Sequence, residues 1–271
     1  MPLVSTRAGT LAYRVTGDGP TLVALHANLH DHHDFDAITP TLARRYRVVA
    51  VDWPGCGDAP PPADPGAMTA PLLADGLEDL VAELDADPLV LLGNSVGGFA
   101  AARLAITHPE LVAGLILVNT GGFLPMNPAL RGFCRLLGTP SVARRLLAPF
   151  IRLYMQPRSD FDRQVQNRAV GRAKTPHGVT MAAALWRSFA TDGHDLRGRA
   201  GSLTAPTLIV WGSRDTAIPL PIGRATHRAL PKATFTTLAT GHVPFASAPD
   251  DFLATVAPFL AEVTGSGVVS P

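Results

Sequence analysis

The feature that most constrains the fold is a set of short, almost wholly apolar runs, Leu89–Leu92, Gly114–Val118 and Pro206–Trp211, separated from one another by helical patterns. A strand with one wet face alternates apolar and polar residues, whereas a strand with no polar phase must be covered on both faces. That is the habit of parallel sheets wrapped by crossover helices. The expected fold class is therefore α/β, a mostly parallel sheet with helices on both faces. Further strands are expected at Thr10–Val15, with Val4–Arg7 pairing to it through the Ala8-Gly9 turn, and at Pro20–Leu25, Tyr46–Val51 and Thr234–Leu238. Helices are expected at Phe35–Arg45, Phe99–Thr107, Ile222–Leu230 and Asp250–Glu262. One more is expected at Leu72–Asp85, where Leu73, Leu77, Leu80, Val81 and Leu84 fall on one face. Gly265–Pro271 reads as a frayed tail.

The strand–helix rhythm stops at Gly121 and resumes at Pro206. Residues 122–195 carry helical patterns broken by Pro125, Pro128, Pro140, Pro149, Pro157 and Pro176, with no strand pattern. A helical cap, 122–195, inserted into a core made of 1–121 and 196–271 is the expected organisation, and 271 residues suffice for it. Lys and Arg number 23 against 22 Asp and Glu, a net charge of +1, which gives neither nucleic acid nor an anionic membrane a reason to bind. The expected partner is a small molecule, and the chain is expected to be a monomer or small homo-oligomer. The N-terminal residues lack a basic stretch followed by an apolar run, and no run of about 18 apolar residues occurs, so a cytoplasmic location is expected. Cys56 and Cys134 fit neither a disulfide framework nor a metal spacing and are expected to be free thiols.

Gly93-Asn-Ser-Val-Gly97 follows the apolar run Leu89–Leu92 and opens a helix. Glycines two residues either side of Ser95 permit a sharp strand-to-helix turn that lifts the hydroxyl to the carboxyl edge of the sheet, the geometry of a nucleophile elbow. The helix start offers free N–H groups there, a favourable place for developing negative charge. Serine needs a base, and the base needs a carboxylate to orient it. Asp215, in Trp211-Gly-Ser-Arg-Asp, follows one apolar strand, and His242, in Gly241-His-Val-Pro-Phe, follows the strand at Thr234–Leu238. Alone, Asp215 reads as a turn former and His242 as a loop residue. In this order, each at a strand end, they read as a triad with Ser95.

Over nearly its whole length the chain resembles the α/β-hydrolase fold family, with the family's eight-strand spacing and a cap after the sixth strand. The resemblance implies an oxyanion hole formed by the N–H groups of Asn28, in the segment His26-Ala27-Asn28, and Val96; Ala27 stands where the family usually has glycine. It implies a structural role for the Asp52, Gly55, Gly57 turn. The family's alternative acid position after the sixth strand is Asn119 here, which leaves the role with Asp215. Ser95 argues against the aspartate nucleophile of haloalkane dehalogenases and epoxide hydrolases.

The expected reaction is hydrolysis of an ester-like bond in a small, fairly apolar molecule, without a cofactor. The elbow Gly-Asn-Ser-x-Gly-Gly is also similar to that of C–C bond hydrolases, which keeps a β-diketone-like substrate open. A lyase, cyclase or cofactor-free oxygenase using His242 as base is a further alternative, and a non-catalytic ligand receptor the last. His26, His30, His32 and His33 with Asp31, Asp34 and Asp36 invite a metal reading, but their place at the oxyanion loop argues against a ligand cage, and no metal is expected. His26, Phe35, Trp186 and Val243 are expected at the pocket wall. Residues 122–195 hold ten Arg and Lys174 against four acids, a solvated surface by default and an anion-greeting cap as the sharper alternative.

Overall fold

A computed structural model describes residues 1–84 and 88–265. Its eight strands are β1 (Leu3–Thr6), β2 (Gly9–Thr16), β3 (Thr21–Leu25), β4 (Arg47–Asp52), β5 (Leu89–Asn94), β6 (Val112–Val118), β7 (Thr207–Gly212) and β8 (Thr234–Leu238). They form one sheet in the order β1-β2-β4-β3-β5-β6-β7-β8. Only the pairings β1–β2 and β2–β4 are antiparallel.

Alternate residues of the apolar strands feed two cores, as the two-residue repeat of a strand dictates. Leu91, Leu117 and Ile209 point to the side covered by α2 (Ala70–Leu84) and α3 (Val96–Thr107), while Leu92, Val118 and Val210 share the other core with Phe252, Val256 and Leu260. These last three lie on α10 (Pro249–Thr264). The absence of a polar phase in β5–β7 is thus the imprint of two covered faces.

The segment expected as a helix from Phe35 to Arg45 is shorter and less regular. Asp31 accepts from the His33 amide at the start of a 3-10 turn over His32–Phe35, and α1 is a single turn, Thr39–Leu42. Pro40, without an amide hydrogen, is tolerated there only because it occupies the first turn. Of the expected tail, residues 266–271 lie outside the described residues, as does Asp85 of the expected Leu72–Asp85 helix.

Between β6 and β7 the chain runs through α4 (Pro128–Leu137), α5 (Pro140–Met155), α6 (Asp160–Arg172) and α7 (Pro176–Phe189), with no strand among the described residues. The Leu196 amide donates to the Gly122 carbonyl at 2.7 Å, closing the neck of this insertion at its two ends. After β7 follow α8 (Leu220–Ala229), then β8, α9 (Pro244–Ser247) and α10. No described helix is long and apolar enough to cross a membrane.

Candidate active site

Ser95 stands between β5 and α3 with φ 56° and ψ −115°. A non-glycine residue held there carries backbone strain, which persists only where its surroundings fix it. Here the Ser95 amide donates to Val118 O at 3.1 Å, and its carbonyl accepts from Phe99 N and Gly121 N. Close packing of α3 on the sheet depends on glycine: a β-carbon on Gly93 would lie 2.5 Å from the Gly97 carbonyl oxygen, and one on Gly97 would meet the Leu25 carbonyl oxygen. Among the described residues, no protein acceptor takes the Val96 or Asn28 amide hydrogen.

Asp215 lies on the turn after β7, 4% exposed. Its Oδ1 accepts from the amides of Ala217 (2.7 Å) and Ile218 (3.1 Å), and its Oδ2 from His242 Nδ1 at 2.7 Å. Asn119 Nδ2 makes a further short hydrogen bond to Oδ2, and Asn119 Oδ1 accepts from Gly212 N at 2.9 Å. A carboxylate with four donors is fixed as an acceptor and held in one orientation. The residue that cannot supply the carboxylate therefore serves the one that does, a role the sequence did not disclose.

His242 follows β8. With Nδ1 committed to Asp215, Nε2 is its basic nitrogen. Its amide donates to the Tyr154 carbonyl of α5 at 3.3 Å, and its carbonyl accepts from Asn94 Nδ2 at 3.1 Å. The Tyr154 ring meets the imidazole edge-on, centroids 5.1 Å apart. The structure thus brings Ser95, His242, Asn28 and Val96 to the wall of one cavity, with Asp215 behind the imidazole.

Trp186 lines that cavity too, in a cluster of edge-on rings with Phe133 and Phe150 at 5.7 and 5.8 Å. His26, Phe35 and Val243, expected beside it, do not. His26 is fully buried and braces the loop, with Nε2 accepting from Trp53 N at 3.1 Å and Nδ1 donating to Ala27 O at 2.7 Å; burial lowers its pKa. Phe35 stacks on Phe245 at 4.6 Å, and Val243 lies wholly within the same core. Each is a sequence neighbour of a site residue or its loop, but its side chain faces inward. His194, unremarked in the sequence, does line the cavity between Phe99 and Phe189, and burial pushes its pKa down to about 4.

The insertion's arginines do not greet the cavity: no Arg or Lys lines it among the described residues. Several clamp backbone instead, Arg187 on Gly138 O and Arg131 on Ala190 O. Arg172 of α6 reaches furthest, donating to the carbonyls of Leu29 and His30 and to Asp31 Oδ2 at 2.8 Å. Burial works against a charge on Asp31, yet Arg172 and Arg168 hold its pKa down to about 2. Leu29 follows Asn28 in a left-handed conformation, φ 68°, so Arg172 pins the strained turn that presents the Asn28 amide. Arg172→Met is expected to cost about 3 kcal/mol in urea unfolding, because Asp31 keeps only the His33 amide and a more distant cation, Arg168 at 3.4 Å, and to lower kcat more than it raises KM.

Of the histidine-rich stretch, His32 pairs with Asp52 at 2.7 Å, away from the cavity. Asp52 also accepts from His32 N and Asp58 N, and a β-carbon on Gly57 (φ 51°) would collide with its carboxylate. His32, Asp52 and Asp58 each bring one ligand-type atom within 4.8 Å of the others, but the carboxylate is already taken up by these donors. Burial opposes both charges of the pair, yet Asp52 raises the His32 pKa and His32 lowers that of Asp52. The His32 contribution to stability is complete below the unfolded imidazole value, about 6.5, and fades as pH rises through its raised folded value. That of Asp52 is complete above about 3.9 and fades as pH falls through its depressed one. The urea midpoint of wild type is therefore expected to exceed that of His32→Gln most between about pH 4 and 6.5, with the gap narrowing on both sides.

The model of the alpha/beta hydrolase fold matches residues 20–249. The chain belongs to the α/β-hydrolase fold family. It is 30% identical to a pimeloyl-acyl-carrier protein methyl ester esterase of Aeromonas hydrophila, over 90% of this chain and 96% of that one. It is 28% identical to a 2-hydroxy-6-oxononadienedioate/2-hydroxy-6-oxononatrienedioate hydrolase of Cupriavidus pinatubonensis, over 84% and 87%. Among solved structures, a thermophilic esterase from Thermogutta terrifontis superposes with a TM-score of 0.82 at 25% identity, covering 97% of this chain and 98% of that one. Relatives of this hydrolase-family chain thus include both esterases and a hydrolase of another name.

Proposed function

We propose that the chain hydrolyses an ester-like bond in a small, fairly apolar and uncharged molecule, with Ser95 as nucleophile, His242 as base and Asp215 orienting the imidazole. The observation that carries this reading is the buried His242–Asp215 pair, 2.7 Å apart, whose imidazole shares a cavity wall with the strained Ser95. His242 Nε2 takes the Ser95 proton as the hydroxyl oxygen bonds to the substrate carbonyl carbon, and returns it to the departing alcohol. Water then cleaves the acyl-enzyme by the same route. The free amides of Asn28 and Val96 receive the oxyanion, each such donor being worth roughly 3 kcal/mol of barrier. The helical insertion, residues 122–195, acts as the cap that supplies Phe133, Phe150 and Trp186 to the substrate wall. No cofactor enters this scheme.

The second reading, C–C bond hydrolysis, is favoured by the Cupriavidus relative. That relative's name denotes a dioate, and a doubly charged substrate in a dry cavity calls for cationic partners. The absence of Arg and Lys from the described lining weighs toward a neutral ester. The test is exposure to a fluorophosphonate probe alongside p-nitrophenyl esters of neutral and carboxyl-terminated acids and a C–C substrate. Covalent labelling with preference for the neutral esters is expected. Turnover of the C–C substrate alone transfers the function to the second reading, and an unlabelled protein with neither activity points to non-hydrolytic chemistry or ligand reception.

A further inference from the structure

His30 reaches the cavity at one remove. Its side chain is fully buried, with Nδ1 2.5 Å from Asp34 Oδ2 and Nε2 3.0 Å from the Tyr154 phenol oxygen. None of the three takes part in the mechanism above. Tyr154 lines the cavity, and its ring rests edge-on against the His242 imidazole. A second carboxylate–imidazole pair thus stands beside the first and ends on a phenol in place of a serine.

The direction of each hydrogen bond follows from the groups. An ionised carboxylate only accepts, so His30 Nδ1 carries the proton facing Asp34, and in the neutral imidazole the remaining nitrogen, Nε2, offers a lone pair. Tyr154 must then donate to it. Burial and the nearby charges of Asp34 and Asp215 raise the phenol pKa, which keeps that proton in place. An unrestrained phenol presents itself as donor or acceptor at will; this one has spent its hydrogen on His30 and keeps only lone pairs. On the same helix, Leu147, Phe150 and Ile151 line the cavity with no side-chain polar atom, and the polar ring beside Tyr154, His242, has its Nδ1 held by Asp215.

We propose that the Asp34–His30–Tyr154 relay makes the Tyr154 oxygen a fixed hydrogen-bond acceptor that selects substrates carrying a hydroxyl group on the acyl portion. Tyr154 is then a specificity-determining residue. The substrate class rests on the ester reading; the acceptor does not.

The test uses matched p-nitrophenyl esters whose acyl chains bear hydrogen, hydroxyl or methoxy at successive positions, assayed on wild type and on Tyr154→Phe. In wild type the hydroxyl is expected to raise kcat/KM about threefold to tenfold over the parent ester at one position at least, and methoxy, which cannot donate, is expected to give no gain. In Tyr154→Phe, with folding checked by circular dichroism, the hydroxyl-to-parent ratio is expected to fall to about one. A wild type indifferent to the hydroxyl, a preference for methoxy, or a hydroxyl preference that survives Tyr154→Phe overturns the proposal. Thermal shifts produced by the corresponding carboxamides read the same ratio without turnover. If no ester is cleaved, the ester reading fails, and the carboxamide ratio still decides whether Tyr154 accepts.

Discussion

Ser95→Ala is expected to lower ester turnover by about five orders of magnitude or more and to abolish fluorophosphonate labelling. The size follows from the division of labour. Without the hydroxyl, no acyl-enzyme forms, and His242 can at best activate a water that the cavity was not shaped to place. The residual rate then comes from binding and the Asn28 and Val96 amides, typically about 10³ to 10⁴ above solution. Folding has no reason to suffer, since the hydrogen bonds that fix the elbow are made by the Ser95 backbone. Alanine also removes only one atom from a residue whose strained φ is already tolerated. Equal turnover in the variant, with the same thermal midpoint, would sink the covalent route.

Asp215→Asn is expected to cost roughly 10⁴ in kcat with a much smaller change in KM. The carboxylate accepts on both oxygens: two backbone amides hold Oδ1, while His242 and Asn119 meet at Oδ2. An asparagine that keeps its oxygen on the two amides must turn its NH₂ toward two donors. His242 escapes only by moving its proton to Nε2, the nitrogen that must receive the Ser95 hydrogen. Asn119 has to rotate as well, giving up the bond to Gly212 N. The measurement is a pair of kcat determinations, wild type and variant, at matched pH. A loss under about tenfold would mean that another group orients His242.

The sheet was legible because it depends on local signals, and the proposed triad was read from signals of the same kind. An apolar run with no polar phase announces a strand buried on two faces, and Ser95, Asp215 and His242 each sit just beyond such a run or the strand after it. The helical stretch between β6 and β7 was legible through its prolines and the interruption of the rhythm. The Phe35–Arg45 helix was overdrawn because apolar spacing registers burial, whereas Pro40 and the Asp31 cap decide how many turns can form. Adjacency misled for His26 and Val243, whose neighbours Ala27 and His242 line the cavity while they themselves brace the loop and fill the core, and Phe35 fills the core as well. Asn119 on Asp215 and Tyr154 on His30 were invisible for another reason: the partners are 96 and 124 residues apart, and no local pattern encodes a hydrogen bond across that span.

The neck at Gly122 and Leu196 gives the insertion a single point of departure and return, the arrangement of a part that can be exchanged without rethreading the sheet. Two of its groups forbid a careless exchange. The Tyr154 carbonyl receives the His242 amide, and the Arg172 guanidinium holds the Leu29 turn. A chimera that grafts a relative's helices between residues 122 and 196 would inherit a new cavity wall, yet would leave the loops of Leu29 and His242 slack unless the donor brought an equivalent carbonyl and an equivalent arginine with it.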